Sequence, residues 1–204
     1  WITIAAQITA ASSGTYRQPL FTSWNPPIYV IQKPELKSEM IEFMGQEGIH
    51  HREHERFWEE MEKMDLNPMP YVNFTDKSLQ FLTKISYFIL PNSFADKLAL
   101  SCTTGMEHYT ALFGNQSLGN QEFSANLLPK EMHMLMMWHS AEELDHKAVA
   151  YDVFQEVSGS YFIRILGYIM ASMYFYVFAF GGMLYFIKQD KNRNTKGVFS
   201  QLKE

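Results

Sequence analysis

A chain of 204 residues with 47% hydrophobic and 15% aromatic content carries enough apolar material for one domain with a sizeable core. Its formal net charge of −5 argues against nucleic acid as the partner. The single cysteine, Cys102, excludes an internal disulfide framework and fits a reducing compartment, and no basic stretch precedes the apolar opening as a signal peptide would need.

Residues 1–34 contain no Asp or Glu. The spacing predicts a short apolar helix over 1–11, then breaks at Ser12-Ser13-Gly14 and Asn25-Pro26-Pro27, so 1–33 reads as an apolar packing arm. Pro34 suits the first position of a long helix, with Glu35 in its first turn, running to about Met64 and ending at Asn67-Pro68. Within it Glu47, His50 and His54 lie at i, i+3 and i+7 and interrupt an apolar stripe that runs from Met40 and Phe43 to Phe57 and Met61. His51 falls off that face. Residues 69–75 read as a loop with Thr75 as an N-cap, and helical periodicity returns over 76–90 and, after Pro91, toward Asn115. Glu107 shares a face with the small or apolar Thr103, Met106, Thr110 and Ala111, which makes it a candidate for a buried carboxylate from a third helix. Its neighbour His108 points about 100° away and reads as an outer partner or a satisfied core histidine.

After a predicted loop at 114–121, Pro129 opens a central helix that runs to about Val157 and stops before Ser158-Gly159-Ser160. Here His139, Glu142, Glu143 and His146 share an arc of about 100°, with Leu135 and Trp138 before them and Val149, Ala150 and Val153 after them. Burying imidazoles and carboxylates in a stripe that is otherwise apolar costs several kcal/mol unless something satisfies them, and a bound cation does so directly. Two helices that each turn a Glu-x-x-His inward form the pattern of di-iron and di-manganese carboxylate bundles.

The last segment differs in kind. The 23 residues from 165 to 187 carry no formal charge, a length that can cross a bilayer. Lys188, Lys191, Arg193 and Lys196 follow and suit anionic headgroups. A spanning helix would place this tail in the cytoplasm and the metal helices outside, whereas a helix lying on the membrane would leave both on the cytoplasmic side. A buried core helix or a protein interface is the alternative.

The stretches FMGQEGIHHREH, MEHYTA and WHSAEELDHKAVAYDVFQ resemble the three core motifs of the bacterial family of predicted metal-dependent hydrolases. The likeness runs over about residues 34–165 and extends to GSYFIRI and the hydrophobic helix behind it. It implies a ferritin-like character, with Glu47, His50, His54, Glu107, His108, His139, Glu142, Glu143 and His146 at positions the motifs repeat. Ferritin-like di-metal sites also take a carboxylate from a first helix, and here no acid precedes Glu35.

These readings combine into an all-α, ferritin-like helical bundle over 34–160 with an additional hydrophobic C-terminal helix and basic tail over 161–204. The expected metal ligands are Glu47, His50, His54, Glu107, His139, Glu143 and His146, holding two metal ions, with iron expected ahead of manganese or zinc. Glu142 is the expected catalytic base. The surroundings expected from Met44, Phe57, Met106, Met136, Met137 and Trp138 are dry, which puts O2-dependent oxidation of an apolar, lipid-like substrate ahead of hydrolysis by a metal-bound water. The third alternative is a non-catalytic metal-binding subunit of a membrane complex. Membrane association, on the cytoplasmic side, and a possible homo-oligomer complete the expectations.

Overall fold

The computed structural model describes residues 31–128 and 130–189, without the side chains of His51, Phe123, Ser124 and Leu127. The predicted arm over 1–30, Pro129 and the basic tail beyond Lys188 therefore lie outside the described residues. Among the described residues every regular element is helical: α1 Pro34–Lys63, α2 Met69–Ile89, α3 Asn92–Gly119, α4 Gln121–Leu127, α5 Lys130–Val157 and α6 Tyr161–Gln189. The result is an all-α bundle that ends in an apolar helix.

The central pair is α3 and α5, which run antiparallel. Thr104 Oγ1 donates to the Ala150 carbonyl at 3.1 Å, and ten residues further along α3 the backbone of Gly114 meets that of Ser140. A Cβ on Gly114 would lie 2.6 Å from the Ser140 oxygen. This corrects the loop expected at 114–121: α3 continues to Gly119, because Gly114 serves a close helix crossing and not a turn. The loop expected at 69–75 is also helical. Pro68 and Pro70 occupy the cap and first turn of α2, where a missing N–H costs nothing, and Tyr71, Val72 and Thr75 bury one face of that turn.

On one side of the central pair α1 packs antiparallel to α5. Leu36 and Met40 of α1 join Leu98 and Leu100 of α3, Val153 and Phe154 of α5 and Ile163 of α6 in one core. On the opposite side α6 runs parallel to α3. Gly167 makes that approach possible, since a Cβ there would come within 2.8 Å of the Ser101 carbonyl carbon, and Ser101 Oγ donates to the Ile163 carbonyl at 2.9 Å. Tyr109 stacks on Phe175, with ring centroids 4.9 Å apart. The far half of α6 is covered by α2 through Tyr71 stacked on Tyr185 and Tyr174 donating to the Thr75 carbonyl.

Helix α6 is long and apolar enough to cross a membrane, and most of its apolar length is exposed. Ile169, Met173, Tyr176, Val177 and Phe180 all face outward on it. Helix α2 adds a second exposed stripe of Phe74, Phe81, Leu82, Ile85, Phe88 and Ile89, at helical spacing along one face.

Candidate metal centre

The antiparallel pairing of α1 with α5 brings the two Glu-x-x-His pairs face to face. One ligand atom from each of Glu47, His50, Glu143 and His146 can be taken so that all four lie within 4.8 Å of one another, and all four residues are buried. Ligand atoms about 2.0–2.2 Å from a shared cation are at most about 4.4 Å apart, so a sub-ångström contraction closes the set around an ion. Glu47 Oε1 sits between the two histidines, 2.9 Å from His146 Nδ1 and 3.4 Å from His50 Nδ1. Glu107 arrives from α3, with Oε2 3.9 Å from His146 Nδ1.

The outer sides of the two imidazoles decide how they are presented. His50 Nε2 lies 2.6 Å from Glu142 Oε2, and His146 Nε2 lies 3.0 Å from Gln46 Oε1. A carboxylate and an amide oxygen can only accept, so in each neutral ring Nε2 carries the hydrogen and Nδ1 turns a lone pair inward. Metal-ligating histidines are held in this way by an outer oxygen. Glu47 Oε1, His50 Nδ1, Glu143 Oε2 and His146 Nδ1 are all buried without a properly directed hydrogen bond. Four converging orphan atoms with the donor chemistry of an oxygen and nitrogen ligand set fit a metal ion.

The electrostatics agree. Burial pushes the Glu107 carboxyl well above the usual range, and the Glu143 and Glu47 charges push it further. Burial and Glu47 also raise Glu143. Burial works against ionised Glu47 too, but His146 and His50 outweigh it and hold that carboxyl low. Burial works against a charged His50 as well, but Glu47, Glu143 and Glu142 outweigh it and raise that imidazole, so the buried carboxylates call for positive charge among them, which a cation would supply. Desolvation, with His50 beside it, lowers His139 to about 3 and keeps that ring neutral.

The remaining expected residues lie around this core. His139 Nε2 is 3.2 Å from Glu143 Oε1, and its ring is 4.3 Å from that of His50 and 5.0 Å from that of His54. His54 is therefore one turn beyond the four-atom cluster, beside His139. Glu142 and His139, with side chains 20% and 19% exposed, mark the side on which the centre opens to solvent. His108 is not an outer partner of the centre: it lies on the α6 side of α3, in a cleft with Lys147 and Tyr168. The side chain of His51 lies outside the described residues. Gln46 is the functional residue that the sequence reading missed, and its signal is the need of an inward histidine for an outer oxygen.

The surroundings are less dry than expected. Phe43 meets His146 edge-on at 4.8 Å and Trp138 meets His50 edge-on at 5.2 Å. Met44, however, is exposed, and Met106 packs with Tyr109, Ala171 and Phe175 toward α6. Cys102, whose thiol burial raises to about 12, stays protonated and supplies no thiolate.

A buried Glu/His cluster able to hold metal, built on two antiparallel helices and approached by a third, defines a metal-site protein of the helical-bundle class. The chain belongs to the predicted metal-dependent hydrolase family, whose model matches residues 26–204. Neither the curated proteins nor the solved structures gave a match.

Proposed function

We propose that this protein is a metal-dependent hydrolase seated on a membrane and acting on an apolar, lipid-like substrate. The observation that carries the reading is the set of four buried, unsatisfied ligand atoms, two of them imidazole nitrogens whose tautomer is fixed from outside. Glu47, His50, Glu143 and His146 would hold the metal and Glu107 would add a carboxylate from α3; Glu143, which faces His139 with one oxygen and His146 with the other, would also be available to a second ion. A bound metal supplies the lowered pKa of a coordinated water. One oxygen of Glu142 orients His50, and the other accepts the proton on the side that opens to solvent. A cleft of about 490 Å³ between α1 and α5 begins one turn beyond His54 and His139, where Phe57, Met132 and Leu135 supply apolar wall among the charged Glu53, Arg56, Glu60, Lys63 and Glu131, a lining that suits a substrate with both polar and apolar parts.

Glu142→Gln separates orientation from proton transfer. The amide still accepts from His50, so metal content should stay within about tenfold in affinity, while kcat for an acyl ester falls by about 10²–10⁴. Metal analysis beside steady-state kinetics checks this, and equal losses in both would deny Glu142 the role of base.

Oxygen chemistry is the second reading, favoured by the paired inward Glu-x-x-His helices with Glu107 as a further carboxylate, the pattern of ferritin-like di-iron bundles. Under it the reduced, iron-loaded protein would consume O2 and leave an ester intact. The family and the solvent-side Glu142 support hydrolysis ahead of it.

The exposed faces of α2 and α6 support a seat on one leaflet. Ile163 to Phe175 of α6 run alongside α3 and level with the part of α5 that exposes Asp145, Lys147 and Asp152. A bilayer around α6 on all sides would take those charges into hydrocarbon. The uncharged stretch therefore lies along the membrane surface, with the basic tail on anionic headgroups of the cytoplasmic leaflet. Met173→Lys, Val177→Lys and Phe180→Lys together should move the folded protein from the membrane fraction to the soluble one. Unchanged fractionation in a flotation assay would contradict the seat.

A further inference from the structure

A second cavity, of about 320 Å³, opens between α3, α5 and α6 on the side of the central pair away from α1. Gly105, Ala148, Ile165 and Tyr168 give it apolar wall, and Ser101, Thr104 and His108 also line it. Two cations border it, Lys147 on α5 and Arg164 at the start of α6. Neither has a carboxylate within ion-pair distance among the described residues, although the chain as a whole carries more acidic than basic groups. Arg164 is instead fixed by aromatic rings: its guanidinium lies 5.5 Å from the Tyr151 centroid and 5.0 Å from that of Tyr161, and Nη1 donates to Tyr151 Oη at 2.8 Å. A guanidinium held in place by rings and one hydroxyl keeps its remaining donors for an anion. Apolar walls under a pair of cations match a molecule with an acidic head and a hydrocarbon tail.

We propose that this cleft binds an anionic amphiphile, its phosphate or carboxylate on Arg164 and Lys147 and its chain along Ala148, Ile165 and Gly105. The site is separate from the metal centre and does not depend on the reaction run there. Its place supports the assignment. Arg164 is the last charge before the uncharged stretch, and Phe162, Ile165 and Ile169 beside it are exposed. The cleft thus stands where an apolar surface gives way to a charged one, which is where an amphiphile's head and tail divide.

The test uses the full chain in a neutral maltoside detergent. Equilibrium dialysis with radiolabelled decyl phosphate is compared between the wild type, the Lys147→Gln/Arg164→Gln double variant and Ala148→Trp, which fills the cleft and leaves its cations. Decyl phosphate should bind the wild type at one site and lose at least tenfold in affinity in both variants, while inorganic phosphate and neutral decanol bind the wild type at least tenfold more weakly. Equal binding by the wild type and the double variant would overturn the proposal, as would decanol binding as well as decyl phosphate. Circular dichroism and metal content report whether each variant keeps its fold, and Ala148→Trp carries the test should the double variant not fold. Vesicles of phosphatidylcholine with and without phosphatidylglycerol distinguish the source. A preference for anionic vesicles that the double variant loses assigns a bilayer lipid, and an unaltered preference with decyl phosphate binding lost assigns a free amphiphile.

Discussion

Replacing His50 or His146 with alanine is expected to abolish stoichiometric metal binding, with a loss of affinity larger than the 10–100-fold that follows removal of an outer partner. Each substitution removes one of the two inward imidazole nitrogens of the four-residue cluster. It also leaves Glu142 or Gln46 facing an empty volume where a ring nitrogen stood. His54→Ala should keep most of the metal, since His54 stands one turn outside the cluster, against His139. Elemental analysis of folded protein checks the contrast. Equal metal content in all three variants would place the ligands elsewhere.

The second large effect concerns the protein without metal. Glu107→Gln should stabilise the metal-free fold by on the order of 2 kcal/mol, or about 4–8 °C in melting temperature, because it removes a buried carboxyl that repels Glu143 and Glu47. The same change should weaken metal binding, so the two effects have opposite signs. The pH dependence follows from the direction of the shift. A carboxyl whose folded pKa lies above its unfolded value favours folding below the usual carboxylate range and costs stability as pH rises through the folded value. Melting of the metal-free wild type should therefore fall relative to Glu107→Gln as pH rises above about 4.5. His139, lowered to about 3, acts the other way below about pH 6.5 and is common to both proteins, so the difference between them reports Glu107 together with its repulsion of Glu143 and Glu47. A Gln variant that melts at or below the wild type throughout would contradict the charge excess.

Much of this was legible in the chain. Periodicity around Glu47 and His50, and around Glu143 and His146, was sufficient to predict two inward faces, because helical spacing alone fixes which side chains share a side. Glu107 was legible once those faces existed, since its neighbours are small or apolar. What sequence reasoning could not reach was set by tertiary approach. Gly114 reads as a breaker until Ser140 is seen packed on it, and Met106 reads as lining a metal site until α6 covers it. His108 and Lys147 each follow a buried site residue in sequence, but 100° of helix turns them into a different cleft. The split between the inner four ligands and the outlying His54 depends on how α1 crosses α5, which no single helix specifies.

The central claim is a metal centre made of Glu47, His50, Glu143 and His146. X-ray absorption on the full chain, purified without oxygen and loaded with the metal it retains, tests it most directly. The predicted spectrum shows a shell of oxygen and nitrogen neighbours only, at about 2.0–2.2 Å, with the outer scattering of imidazole rings that disappears in the His50→Ala/His146→Ala protein. A sulfur neighbour, or a metal environment unchanged by that double substitution, would contradict it.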